Sequence, residues 1–539
     1  MKSSRAPFVA GLVFLSLACA ASPPTPSAAQ PSVQAAQPGG PPRLIVLITV
    51  DQMRADYLDK WAGQFTGGLA RLTKNGAVFT NAFQDHANTE TAPGHSTLLS
   101  GREPYRTGIV FNAEGVPDPG SPVIGGGGPG ASPFRFKGST LFDWLKYRDS
   151  HSRALSVSRK DRGAILPVGH AREAVFWYQS DGRFSTSSYY GDELPHWVHA
   201  FNERRIPQSY AGKAWTPLLQ VAAYPEPDTV LFEDGGREPA FPHVVPSDSA
   251  AAAASLLAFP FLDDVTVQFA LDGVNAMKLG AGRSTDLLAV SLSSTDAVGH
   301  RFGMSSRELH DQILRVDRAI GVLIDSLYKL RDSSTIVFAL TADHGVTQMP
   351  ELAEQNGDSP PPIRVDLSSV AADFQATLAK RMNTDSAIGY SDAMLMLNRS
   401  RLNRSHINAD SLARAFADAA KHQPGVMRAD LFKDLLTADT VKDVIARRWR
   451  HAIPPDWPVA VVVTLNHGSV WGTTPGVHGS PWDDDCHVPI VFYGPWIRPG
   501  RYAELARTVD IAPTFAQIAG VKPSEEIDGH ALTSALLKN

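Results

Sequence analysis

Residues Leu44–Val50 read LIVLITV, an apolar run ended by Asp51. A run of this kind fits a strand buried on both faces of a parallel sheet. The same grammar returns at Leu287–Leu292, followed by Asp296, and at Thr335–Ala342, followed by Asp343. Between those two runs, Ser305 and Glu308 are spaced as a capping box, and Leu309, Ile313, Val316, Ile320, Leu323 and Leu327 recur at helical spacing. Strand, helix, strand is the unit of an open α/β sheet, and such sheets bind ligands beyond the carboxyl ends of their strands. Asp51, Asp296 and Asp343 are therefore expected on one edge. Val488–Gly494 reads as a further strand. The fold class is α/β: a central, mostly parallel sheet flanked by helices.

Two stretches break the pattern, about 170–265, rich in aromatics and prolines, and about 351–471, with weaker strand character. Both are expected to be insertions capping the active-site edge of one catalytic domain, 43–539. The Gly-rich tract Gly125–Gly130 lacks the strand and helix context of a phosphate loop and reads as surface loop. Residues 21–42 are Pro, Ala, Ser and Gln with almost no large apolar side chain, which reads as a disordered linker. Before them, Lys2 and Arg5 precede an apolar stretch, Phe8–Ala20, of signal-peptide length, so 1–20 predicts export to the periplasm or outside. Cys19 stands in an imperfect lipobox, and soluble release is preferred over a lipid anchor there. Cys19 and Cys486 are the only cysteines, so no internal disulfide is expected. A net charge of -5 argues against broad binding to nucleic acid. A monomer without a transmembrane segment is expected.

Three fragments carry ligand chemistry: SSTDAVGH at 293–300, TADHG at 341–345 and GVHG at 476–479. Asp296 and His300 are four residues apart, a spacing at which one turn brings carboxylate and imidazole to one ion, with His478 as a third ligand. Asp343 and His344 can serve a second ion, joined by Asp51. Carboxylate and imidazole without thiolate suit zinc best, with manganese, iron or cobalt allowed by ligand type. Isolated DxxxH or DH pairs arise often by chance, but three carboxylates on one sheet edge repel unless cations compensate. His467 and His487 compete with His478, and His467 is the runner-up.

After the first strand, TETAPGHSTLLSG puts Thr91 near a helix N-terminus, where backbone N–H groups favour an anion. In isolation a threonine there reads as a helix cap. In order along the chain, VDQMRADY, TETAPGH, SRKDRGAILPVGH, SSTDAVGH, TADHG and GVHG resemble the alkaline phosphatase superfamily, most closely its threonine-nucleophile, PafA-type monoesterases. The resemblance covers nearly all of 43–539. It implies Thr91 as nucleophile in preference to Thr89, Ser96 or Thr97. It implies one zinc on Asp51, Thr91, Asp343 and His344 and another on Asp296, His300 and His478, two per chain. Lys160 and Arg162 alternate along a stretch read as extended and would share a side. They are similar to the family's paired Lys and Arg, a clamp for the three nonbridging oxygens of a monoester. Asn112 is an amide donor by resemblance, although Thr107 and Phe111 stand where His and Gly are common.

The resulting expectation is hydrolysis of small-molecule phosphate monoesters, of broad specificity, through a phosphothreonine intermediate. A phosphodiesterase or nucleotide pyrophosphatase on the same scaffold is the alternative, favoured if the insertions form a hydrophobic nucleoside slot. A noncatalytic envelope binding protein is a further alternative.

Overall fold

A computed structural model describes residues 40–537, apart from 127, 356–360, 383–386 and 392. The expected signal peptide, most of the linker and Cys19 lie outside the described residues.

Nine strands form the central sheet: β1 (Leu44–Val50), β2 (Ala77–Phe83), β3 (Ala154–Ser158), β4 (Ala174–Tyr178), β5 (Phe184–Ser185), β6 (Asp286–Leu292), β7 (Ile336–Thr341), β8 (Ile490–Tyr493) and β9 (Gly500–Arg507). Their order is β9-β2-β8-β7-β1-β6-β3-β4-β5. β1 runs parallel to both β6 and β7, while β8 is antiparallel to its neighbours β7 and β2. All seven residues of β1 are buried. Leu44, Val46, Ile48 and Val50 face one core and Ile45 and Leu47 the other, which is why the run shows no polar alternation. Burying each such side chain is worth about 1.5–3 kcal/mol.

The long helix expected between β6 and β7 is present at Arg307–Leu330, and its apolar positions Leu309 to Leu327 join the first of those cores. Its cap is one residue later than the spacing predicts. The Ser306 side chain accepts from Leu309 N at 3.1 Å. Glu308 pairs with buried His243 at 2.8 Å, so no capping box forms there. The partner recruited from a distant segment outcompetes the local one.

Within 170–265, β4 and β5 extend the central sheet itself. The remainder leans on the long helix through Asp311, which accepts from Trp215 Nε1 at 2.7 Å, Tyr224 Oη at 2.7 Å and Leu218 N at 2.6 Å. The stretch 351–471 contains a separate four-stranded antiparallel sheet, Ile388–Ser391, Met394–Leu397, Val459–Leu465 and Val426–Leu431 in spatial order, over a core of its own.

Register decides what meets at the carboxyl edge. Val50 lies opposite Leu292, and Thr49 opposite Thr341. Asp51 therefore leaves the sheet level with Ser293 on one side and Asp343 on the other.

Candidate active site

Asp51 follows β1, and Asp343 and His344 follow β7; all three are fully buried. After β6 the chain turns into a helix, α2 (Ser294–Phe302), whose first turn carries Asp296 and whose next turn carries His300. Thr91 is the first residue of a helix labelled α1 (Thr91–Leu98), entered from Glu90 in an extended conformation. His478 comes from the loop after residue 471.

These side chains converge. His300 Nε2 lies 3.2 Å from Asp296 Oδ1 and 3.2 Å from His478 Nε2. His344 Nε2 lies 3.5 Å from Asp51 Oδ1, and its ring stacks on His478 at 3.7 Å. Asp296, His300 and His478 form one group able to hold an ion, and Asp51, Asp296 and His344 another. The first is the set expected from spacing. The second has Asp296 in place of the expected Asp343, whose Oδ2 nevertheless lies 3.8 Å from His344 Nε2.

Three observations fit metal ions to these residues. Each histidine has Nδ1 on a backbone carbonyl: His300 on Gly476 O at 2.8 Å, His344 on Gly345 O at 2.9 Å and His478 on Thr89 O at 2.7 Å. That contact fixes the tautomer with an Nε2 lone pair free to ligate. Two such lone pairs facing at 3.2 Å, His300 and His478, need a cation or a proton between them. Finally, His344 Nε2 is buried with no hydrogen-bond partner, an expensive condition without a ligand.

The charges agree. Burial, with Asp296 and Asp343 alongside, pushes Asp51 up to about 6 against the pull of Lys160 and His344. Burial works the same way on Asp296 and Asp343, yet Lys160 and His300 hold the first well below the carboxylate range, and His344 and His95 hold the second low. Burial, then His344 and His300, holds His478 far below its ordinary value, so it is neutral as a ligand must be.

Thr91 is distinguished from its neighbouring hydroxyls by what each touches. Ser96 donates to Pro93 O at 2.7 Å, Thr97 to Gly94 O at 2.7 Å and Thr89 to Ser480 O at 3.3 Å. Thr91 Oγ1 instead accepts from Lys160 Nζ at 3.0 Å. The same ammonium lies 2.6 Å from Asp51 Oδ2 and 2.8 Å from Asp296 Oδ2. Asn112 Oδ1 accepts from Ala92 N at 2.8 Å, which orients the amide and leaves its NH2 end facing away from that N–H. Lys160 and Arg162 do not alternate along a strand. Lys160 caps a short helix, Asp161–Ile165, and Arg162 lies within it, its Nε buried without a hydrogen-bond partner. Arg162 pairs with Asp161 at 3.5 Å, whereas Lys160 reaches the carboxylates of Asp51 and Asp296. His467 is not at this site. It pairs with Asp484 at 2.6 Å and is 66% exposed.

Glycines let the motif segments touch. A Cβ at Gly94 would lie 2.1 Å from Asp343 O, and one at Gly476 would lie 2.3 Å from Gly299 O. Two supporting residues escaped the sequence reading although both stand in its motifs. His95 Nδ1 donates to Thr91 O at 2.9 Å and lies 3.1 Å from Asp343 Oδ2, while its Nε2 lies 3.0 Å from Ser291 Oγ. Gln52 touches two ligand carboxylates. Neither residue type is a signal by itself.

A cavity of about 740 Å³ opens beside His300, lined by Asp234, Arg237, Glu238, Arg301, Thr473 and Pro475 among others, with no Phe, Tyr or Trp among the described residues.

The chain matches the sequence model of the type I phosphodiesterase / nucleotide pyrophosphatase family over residues 45–359. It belongs to that family. It is 30% identical to alkaline phosphatase PhoV of Synechococcus elongatus, the match covering 92% of this chain and 93% of that one. It is also 30% identical to a protein of Myroides odoratus named calcium-transporting ATPase, over 89% of this chain and 92% of that one. Among the described residues no single helix is long and apolar enough to cross a membrane. The fold matches a crystal structure of alkaline phosphatase PafA, altered at a threonine, an asparagine, a lysine and an arginine. That match has a TM-score of 0.86 at 26% identity, over 92% of this chain and 99% of that one. The chain is thus a metal-binding hydrolase of the alkaline phosphatase type.

Proposed function

We propose that the chain hydrolyses phosphate monoesters to an alcohol and inorganic phosphate, with Thr91 as nucleophile and two zinc ions as cofactors. The observation that carries this is Thr91 Oγ1 at the start of α1, bonded by the Lys160 ammonium that also lies against the carboxylates of Asp51 and Asp296. Asp51, Asp343 and His344, with Thr91, would hold one ion, and Asp296, His300 and His478 the other. When bound, the ions supply Lewis-acid charge that lowers the pKa of the threonine hydroxyl and stabilises the departing oxygen.

Thr91 Oγ1 gives up its proton to solvent and attacks phosphorus in line; the P–O bond breaks, the departing oxygen takes up a proton from solvent to leave as the alcohol, and phosphothreonine forms. Water then attacks phosphorus, phosphate leaves and Thr91 regains its proton, giving retention from two inversions. Lys160, the guanidinium of Arg162 and the NH2 of Asn112 would hold the phosphoryl oxygens, and a monoester dianion offers one more of these than a diester. The four positions altered in the PafA variant have the residue types of Thr91, Asn112, Lys160 and Arg162, with the same Thr-to-Asn and Lys-to-Arg spacings, which supports these roles. Export to the periplasm or outside rests on the apolar run Phe8–Ala20.

Diester cleavage is the second reading, favoured by the family's description. Among the described residues the cavity beside His300 has no Phe, Tyr or Trp to stack a nucleobase, which weighs against it. The test is turnover of an aryl phosphate monoester and its matching diester, with chelator and with zinc restored. Faster monoester turnover, abolished by chelator, and Thr91→Ala that keeps zinc but loses nearly all turnover are expected. Faster diester turnover, or a fully active Thr91→Ala, would overturn the reading.

A further inference from the structure

We infer that Gln52 is a positioning residue that ties the two metal-ligand sets together, holding the carboxylate of Asp296 for the ion it shares with His300 and His478. The inference rests on the two-ion reading above. Gln52 directly follows Asp51 and is buried. Its backbone N–H donates to Asp343 Oδ1 at 3.1 Å, and its side-chain Nε2 donates to Asp296 Oδ1 at 3.2 Å. One residue therefore bonds a carboxylate from each set, the first through the main chain and the second through the side chain.

The surroundings are shaped for that reach. Gln52 has φ of 65°, a left-handed conformation that non-glycine residues seldom adopt. That turn redirects the chain between Asp51 and Met53, so that main chain and side chain of one residue serve different strand ends. Gly299, between Asp296 and His300 on α2, is where the side chain passes: a Cβ there would lie 1.8 Å from Gln52 Oε1. Oε1 itself is buried with no hydrogen-bond partner. A buried amide with an unsatisfied oxygen is costly for stability alone, and its placement makes sense as the means of presenting Nε2 to Asp296. Partners of this kind, one bond removed from the ion, typically change metal affinity 10–100-fold when lost.

The division between main chain and side chain gives a selective prediction. Replacing the side chain removes the bond to Asp296 and leaves the N–H bond to Asp343. Gln52→Asn keeps an amide and tolerates the left-handed backbone but is one methylene too short. Gln52→Met keeps the length and loses the donor. Zinc-stripped wild type and both variants are titrated with zinc, following bound metal per chain and the two stepwise affinities by competition with a chromophoric chelator. Thermal melting of each metal-free protein is recorded alongside. The expected result is that wild type binds two zinc ions. In the variants one equivalent binds as in wild type, the other is weakened roughly 10–100-fold, and metal-free melting is unchanged. Two wild-type affinities in both variants overturn the positioning role and leave the two-ion reading standing. Equal weakening of both equivalents with lowered metal-free melting makes Gln52 structural and also overturns it. Fewer than two zinc ions in wild type removes the two-ion reading and the inference with it. Should Gln52→Met not fold, Gln52→Asn decides alone.

Discussion

Replacing Gly94 by alanine puts a methyl group where the backbone leaves no room. The new Cβ would lie 2.1 Å from Asp343 O, 2.8 Å from its carbonyl carbon and 2.9 Å from its Cα. All three are main-chain atoms of the segment leaving β7, so no side-chain rotation relieves them. A carbon–oxygen contact relaxes at about 3.3–3.6 Å, so α1 must retreat from Asp343 by a little over ~1 Å. Thr91 opens the same helix three residues earlier and moves with it. Overpacking of this kind costs about 1–3 kcal/mol of stability, which a core this size tolerates. A displacement of about 1 Å at a reacting group costs on the order of 100-fold in rate. The assay is kcat for an aryl phosphate monoester at saturating zinc, with bound metal and the circular dichroism spectrum of the same preparation. We expect kcat to fall about 100-fold in a folded, zinc-loaded protein. A folded Gly94→Ala protein within twofold of wild type would show that close approach of α1 to Asp343 does not place Thr91.

Asp51 gives a pH dependence of definite sign. In the metal-free protein its pKa stands at about 6 against 3.8 for the ordinary carboxyl, so between those values the folded state holds more protons than the unfolded one. Stability from this group is present below about pH 4 and is lost as pH rises towards 6, by about 3 kcal/mol at roughly 1.4 kcal/mol per unit. Metal-free Asp51→Asn should therefore gain on wild type across that window in urea denaturation, and a constant difference would contradict the assignment. Asp311→Ala should cost about 3–5 kcal/mol, since it strands Trp215 Nε1, Tyr224 Oη, Leu218 N and the Arg315 guanidinium, which lies 2.6 Å away. Chemical denaturation of the zinc-loaded protein reads this, and a loss under 1 kcal/mol would mean that the segment about 170–265 is held elsewhere.

The strand ends were legible because an apolar run buried on both faces stops at the first carboxylate, which here enters a buried charged site at the carboxyl edge of the sheet. Asp51, Asp296 and Asp343 each follow such a run. His300 was legible because four residues along a helix is one turn, and His478 because a glycine-flanked loop admits a second backbone. Gln52 and His95 were not legible: each acts only through partners brought to it from other segments of the chain. The spacing of Lys160 and Arg162 was read with strand geometry, whereas Ser158 ends the strand and a helix starts at Asp161. A local run that short fits either period, and packing chose.

By itself the sequence determined the α/β class, the order of the motifs and the candidate metal-ligating residues, since apolar runs and their polar ends are local properties of the chain. Only the tertiary structure decided which hydroxyl stands free for Lys160, which tautomer each histidine adopts, and that β4 and β5 widen the sheet. Most of these depend on contacts between segments distant in sequence, such as His300 with Gly476 and Thr91 with Lys160, and no local window of sequence contains both sides of such a contact.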